Sequence, residues 1–154
     1  MTAFVAILTA GAPMFRTVLT HLLKLESGDL PANALFMHCT TGNNRTGVFI
    51  AVLLLLLGVP TASIVEEYTL SEQGLAPTRH INVERLLKKG AFQEYGPEEA
   101  RKKCERMVGA RAESMEALLI EVGKRWSGAE GYFKEQVGFS DEQIERLKNT
   151  LTSS

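Results

Sequence analysis

His38-Cys39-Thr40-Thr41-Gly42-Asn43-Asn44-Arg45-Thr46-Gly47 is the stretch on which the reading of this chain turns. An apolar run of strand length, Ala34-Leu35-Phe36-Met37, comes before it, and an apolar run of helix length, Val48 to Leu57, comes after it. The motif therefore falls on a predicted strand-loop-helix turn, with Cys39 at the strand end and Arg45 near the helix start. In such a turn the loop amides face inward around an anion, and the helix N-terminus adds its positive end.

The residue types fit phosphoryl chemistry. A free thiol has a pKa of ~8.5 and is a weak nucleophile at neutral pH, whereas a cysteine at a helix N-terminus near positive groups falls to ~3.5–7.5. Arg45 offers a planar fork that can donate two parallel hydrogen bonds to two phosphoryl oxygens, which a lysine cannot do. Gly42 suits a position of positive φ or close backbone approach, Gly47 lets the helix start pack tightly, and Thr46 can place its hydroxyl on the sulfur. A ring of amides and one guanidinium supplies the stabilisation that a phosphoryl transition state needs, so no metal or other cofactor is expected.

Outside the motif the chain patterns mostly as helix. Residues 3 to 25 read as a helix interrupted near Gly11-Ala12-Pro13, with Phe15, Val18, Leu19, Leu22 and Leu23 on one face and His21 as a structural residue beside it. Ser27-Gly28-Asp29-Leu30-Pro31 marks a loop, and Ala34 to His38 is the predicted strand. Arg45 to Leu57 is apolar nearly all round and ends at Gly58, which makes it the central helix. Thr61 to Leu70 follows, then a loop at Ser71 to Pro77, a helix from Arg79 to Lys89 stopped by Gly90, and a charged helix opened by Gly96-Pro97. Met115, Leu118, Leu119, Val122 and Trp126 define an amphipathic helix over Ala112 to Trp126, and Ser140-Asp141-Glu142-Gln143 is a capping box for a last helix. A lone strand cannot satisfy its own backbone, so Ala34 to His38 requires a neighbour, with Phe4 to Leu8 as one source and a partner chain as another.

Length and composition bound the rest. A chain of 154 residues, 45% apolar and 23% charged, fits a single domain over 1–154. The net charge of -1 gives no general attraction to nucleic acid or anionic membrane, so an anion site has to be local. Cys39 and Cys104 are too few for a disulfide framework, which places the chain in a reducing compartment. The N-terminus carries no basic residue before Arg16, and the apolar run at Val48 to Val59 is short of the ~20 residues that span a bilayer. The expectation is a cytoplasmic protein with no membrane span and no nucleic-acid partner, with self-association as an option through the unpaired strand edge.

The motif resembles the signature loop of the cysteine-dependent protein tyrosine phosphatases. More narrowly, it is similar to the bacterial and fungal tyrosine (tyrosine/serine) phosphatase family, whose loop reads HCxxGKDRTG. The likeness continues through Val65-Glu66-Glu67-Tyr68-Thr69-Leu70-Ser71, Ala112-Glu113-Ser114-Met115, Gly128-Ala129-Glu130-Gly131-Tyr132 and Ile144-Glu145-Arg146-Leu147, and so covers most of the chain. It implies an α/β, phosphotyrosine-phosphatase-like fold, predominantly helical around a small central sheet, in a chain that lacks the N-terminal strands of its relatives. It also implies that Cys39 is the nucleophile of a cysteinyl-phosphate intermediate, Arg45 the phosphate clamp, Thr46 an aid to thiolate departure and His38 a tuner of the Cys39 pKa. The phosphate is expected to lie against Thr40, Thr41, Gly42, Asn43, Asn44 and Arg45, and the substrate to be a phosphorylated protein or a small phosphomonoester.

The chain departs from that loop at Asn43-Asn44, where relatives carry Lys-Asp and the Asp is viewed as the general acid. Asn44 cannot donate a proton. The carboxylates between Met1 and Cys39 are Glu26 and Asp29, of which Asp29 is a candidate acid, as is Glu72 on the loop that follows Leu70. Three readings follow from this: a phosphatase slow on poor leaving groups, a phosphate-binding pseudophosphatase, and a shortened, inactive family member. Phosphoinositide ranks below phosphoprotein as substrate because Thr40, Thr41, Asn43 and Asn44 are all neutral.

Overall fold

Apolar residues recur at helical spacing along most of this chain, and in the computed structural model, which describes residues 3–24 and 35–152, every regular element among the described residues is helical. Helix α1 spans Ala3–Leu22 and buries Val5, Leu8, Ala12, Phe15, Leu19 and Leu22 along one stripe. Pro13 lies inside it without the predicted interruption. The ring sits on the exposed face, so the buried stripe runs past it unbroken. Thr17 donates its hydroxyl to the Pro13 carbonyl at 3.1 Å. By length and composition α1 could also cross a bilayer, but here its apolar stripe is packed into the protein. His21 is exposed in the last turn of α1.

Helix α2, Arg45–Leu56, buries Val48, Phe49, Ala51, Val52 and Leu56, and its Phe49 ring meets Phe15 of α1 at 4.4 Å between centroids. It stops at Gly58, whose φ of 80° lets the N–H of Gly58 reach the Leu55 carbonyl and that of Val59 reach Leu54. Helix α3 runs over Thr61–Leu75, further than the sequence suggests. The predicted loop at Ser71 to Pro77 is helix as far as Leu75 and then a 3₁₀ turn, Ala76–Thr78. Polar side chains had argued for a loop there, yet Glu72 finds partners across the fold that reward the helical conformation.

Helices α4, Arg79–Lys88, and α5, Pro97–Val108, pack on each other as a hairpin around a small core of Val83, Cys104 and Val108. Helix α6, Ala112–Trp126, buries Met115, Leu118, Leu119, Val122 and Trp126, the same set the spacing picks out. A short helix α7, Ala129–Tyr132, passes into one π-helical turn, Phe133–Val137. Gly131 is obligatory at that bend, because a Cβ there would stand 1.6 Å from the Trp126 carbonyl oxygen. Helix α8, Asp141–Thr152, opens with the capping box: the Gln143 amide donates to the Ser140 hydroxyl at 3.2 Å, and the Ser140 amide to the Gln143 side chain at 3.0 Å.

The main core joins α1, α2, α3, α6, α7, the π turn and α8. Two long-range ties cross it. Tyr132 donates its buried hydroxyl to the Leu8 carbonyl at 2.8 Å, and Arg16 donates to the carbonyls of Val137 and Gly138 while lying over the Phe139 ring.

The expected small sheet is not formed by the described residues. Phe4 to Leu8, the candidate partner strand, is helix, and residues 35–39 are irregular with no ladder beside them. A strand exists only through its neighbour's hydrogen bonds, so an apolar run of the right length is not sufficient. Ala34, the predicted loop at Ser27 to Pro31, and the carboxylates Glu26 and Asp29 lie outside the described residues.

Candidate phosphate-binding site

The segment after residue 39 turns sharply and enters α2 at Arg45, so that Cys39 faces the first turn of the central helix. Gly42 occupies the left-handed region with φ 81°, the conformation the tight arc requires. Burial by itself would push the Cys39 thiol up. Hydrogen bonds to the sulfur from the Thr46 hydroxyl and from the amides of Thr46, Thr41 and Gly42 outweigh it, and the thiol falls to about 6. A ring of donors that stabilises a thiolate is equally suited to an oxyanion in van der Waals contact with it.

Arg45 is exposed at the rim and donates from Nη2 to the Thr40 hydroxyl at 3.0 Å, which spans the loop from its last residue to its first turn. His38 turns elsewhere. Its Nδ1 bonds the Cys39 carbonyl at 3.1 Å and its ring stacks on exposed Phe36 at 5.6 Å, so it is a neighbour of the Cys39 backbone and not among the groups that bond the sulfur.

The two asparagines point their side chains away from the arc. Asn43 is fully buried and donates from Nδ2 to the carbonyls of Val108 at 3.0 Å and Gly109 at 3.2 Å, while its Oδ1 accepts the Thr41 hydroxyl. Asn44 donates to the Met107 carbonyl at 3.0 Å. What either residue could offer a phosphate is its main-chain N–H. Their carboxamides instead cap the last carbonyls of α5, the groups that a helix end leaves without intrahelical partners.

Behind the loop, Tyr68 of α3 lays its ring on Gly47, where an added Cβ would come within 2.9 Å of the ring. That close approach is the reason for glycine at the helix start. The Tyr68 hydroxyl is buried without a hydrogen-bond partner, and burial, with the charge of Glu72 beside it, pushes its pKa up to about 12. Glu72 sits on α3 and not on a loop. One of its oxygens accepts the Ala110 amide and the other pairs with Arg79 of α4. Engaged in this way, Glu72 braces the junction between α5 and α6 and is a poor candidate for the acid.

Nothing in the sequence pattern points to that bracing role, because its partners lie 7 and 38 residues away. The one available signal is a polar residue, Asn43, inside a loop of candidate anion ligands. An open hollow of about 380 Å³ beside the junction is lined by Glu72, Arg79, Glu105, Arg111 and Glu113, with both signs of charge represented. Among the described residues, no group of three His, Cys, Asp or Glu side chains is placed to hold a metal ion.

A family profile described as the tyrosine phosphatase family matches residues 1–153. The chain belongs to the tyrosine phosphatase family. A tyrosine-protein phosphatase from Nostoc commune is 31% identical over 153 residues, which is 97% of this chain and 48% of the relative. The chain thus spans about half the length of the curated relative it matches. No solved structure matches it.

Proposed function

We propose that this protein is a cytoplasmic cysteine-dependent phosphatase that hydrolyses phosphotyrosine or another phosphomonoester through a cysteinyl-phosphate. The observation that carries this reading is the convergence of the Thr46 hydroxyl and three loop amides on the Cys39 sulfur. In the proposed reaction the Cys39 thiolate attacks phosphorus in line, the P–O bond to the leaving group breaks, and the leaving oxygen takes a proton from solvent. Water then attacks the cysteinyl-phosphate and gives up its proton to solvent, the P–S bond breaks, and the sulfur leaves as a thiolate that accepts a hydrogen bond from the Thr46 hydroxyl. Arg45 would swing from Thr40 to clamp two of the equatorial oxygens as charge builds on them.

Asn44 favours a second reading. Its carboxamide holds the Met107 carbonyl, no carboxylate stands in the loop, and a general acid typically contributes ~10²–10⁴ in rate. A protein that binds phosphate and turns it over slowly fits that arrangement, and activated aryl phosphates, whose leaving groups need little protonation, distinguish the two readings. The expected result is measurable hydrolysis of an aryl phosphate, with Cys39→Ser lowering it by at least ~10³-fold and Arg45→Lys by ~10²-fold or more. Equal rates for the wild type and Cys39→Ser overturn the phosphatase reading. Oxyanion binding without turnover favours the binding protein.

A further inference from the structure

We infer that Asn43 is a positioning residue, a buried strut through which the α5–α6 junction holds the loop in the shape that receives an oxyanion. The inference deepens the proposed function and rests on reading the Cys39 loop as the oxyanion site. It starts from burial. A carboxamide with no exposed surface is tolerated only where its donors and acceptor are satisfied, and Asn43 satisfies them with three partners: Val108, Gly109 and Thr41.

Those partners form a continuous path. Two are successive main-chain carbonyls at the end of α5, a place fixed in turn by the Glu72 carboxylate on the next amide, Ala110. The third, Thr41, is two residues before Asn43 in the loop, and the Thr41 amide is one of those directed at the Cys39 sulfur. Between them lies Gly42 at φ 81°, whose amide is also directed at the sulfur. A rotation of Thr41 or Gly42 by a few tens of degrees would carry both N–H groups off the anion, and neither residue has a large side chain to prevent it. Asn43 prevents it by fixing Thr41 through its hydroxyl and anchoring the arc to the body of the protein.

The second asparagine supports this reading independently. Asn44 donates to the Met107 carbonyl, so three consecutive carbonyls at the α5 terminus, those of Met107, Val108 and Gly109, are taken by two consecutive loop side chains. Lys-Asp, the pair in the similar loops, could not supply this: a lysine cannot both donate to two carbonyls and accept a hydroxyl, and an ionised aspartate cannot donate at all. Asn43-Asn44 is thus matched to the α5 end, and the site is built jointly by the loop and by a junction more than sixty residues later in the chain.

The test reads the Cys39 thiol directly, by the pH dependence of its alkylation with iodoacetamide, and oxyanion affinity by vanadate titration. Asn43→Asp keeps the side-chain shape but places an acceptor against two carbonyls. It is expected to move the alkylation midpoint up from near 6 towards the ordinary ~8.5 and to weaken vanadate about tenfold or more. Thr41→Val, which cuts the path at its other end and leaves the two carbonyl bonds in place, should shift both readouts in the same direction and covers the case in which Asn43→Asp does not fold.

Ile144→Val, on α8 in the main core and away from the path, is the control for lost stability and should leave the alkylation midpoint at the wild-type value. The inference is overturned if Thr41→Val or a folded Asn43→Asp keeps the wild-type midpoint, or if Ile144→Val moves it equally. Because alkylation needs no turnover, a wild type that hydrolyses nothing would refute the phosphatase reading and still leave the strut decided.

Discussion

The main body and the α4–α5 hairpin use the same helical architecture with very different reserves. The body packs long stripes from α1, α2, α6 and α8 against one another, and ring contacts such as Phe15 on Phe49 and Trp126 on Tyr132 fill its centre. The hairpin closes on Val83, Cys104 and Val108, with partly buried Leu86, Leu87, Ala91 and Phe92 around them. Burial stabilises by roughly 25 cal/mol per Å² of apolar surface, so the body is the stable unit and the hairpin the one expected to open first. The loop from Cys39 to Asn44 lies on the seam, its backbone entering α2 of the body and its Asn43 and Asn44 side chains holding the end of the hairpin. A site placed there inherits its precision from one region and its mobility from the other.

The contrast can be broken most forcefully in the body. Gly131→Ala would place a methyl within 1.6 Å of a backbone oxygen that cannot move aside as a flexible side chain can. A loss of about 4 kcal/mol or more is expected in denaturant unfolding. A variant as stable as the wild type would mean that the bend between α6 and the π turn is not rigid.

Val83→Ala should cost about 2 kcal/mol, and the loss should be local: faster amide hydrogen exchange across α4 and α5, with the protection of α1 and α2 unchanged. Uniform loss of protection would show one cooperative unit and dissolve the distinction. Tyr132→Phe should cost about 1 kcal/mol, since the Leu8 carbonyl it abandons is buried, and should act globally because it joins two ends of the same core.

The last test concerns the seam and is read as stability against pH. The folded-state pKa of Cys39, about 6, lies below the ~8.5 of an unfolded thiol. The thiolate therefore contributes stability that is fully present above ~8.5 and is lost as pH falls through about 6. Comparing the wild type with Cys39→Ser, the wild type's relative advantage should grow between these two values. A flat difference would mean that the loop donors do not converge on the sulfur.

The helical part of the fold was legible because each helix announces itself locally. The Met115 to Trp126 stripe, the Ser140–Gln143 box and the glycine stops at Gly58 and Gly90 all depend on neighbours a few residues away. What could not be read depends on partners far along the chain. The run before Cys39 has the composition of a strand but no ladder among the described residues, and Ser71 to Leu75 has the polarity of a loop but is held helical where Glu72 meets Arg79 and Ala110. The candidate site divides in the same way: Cys39, Gly42, Arg45 and Thr46 stand out by spacing, whereas the use made of Asn43 depends on Val108 and Gly109, which no local pattern connects to it.

The ties between α1 and the π turn set the order in which this protein can be completed during synthesis. Leu8 and Arg16 wait for partners at Tyr132, Val137 and Gly138, 121 to 124 residues later. Until those residues leave the ribosome, the twenty-residue apolar helix α1 has nothing to close the far side of its stripe. Contacts of such long separation form late and slowly, and exposed apolar surface in the interval attracts chaperones and other nascent chains. The expression yield of variants should therefore follow how quickly the segment from Ala129 to Phe139 docks, more closely than it follows the final stability of the fold.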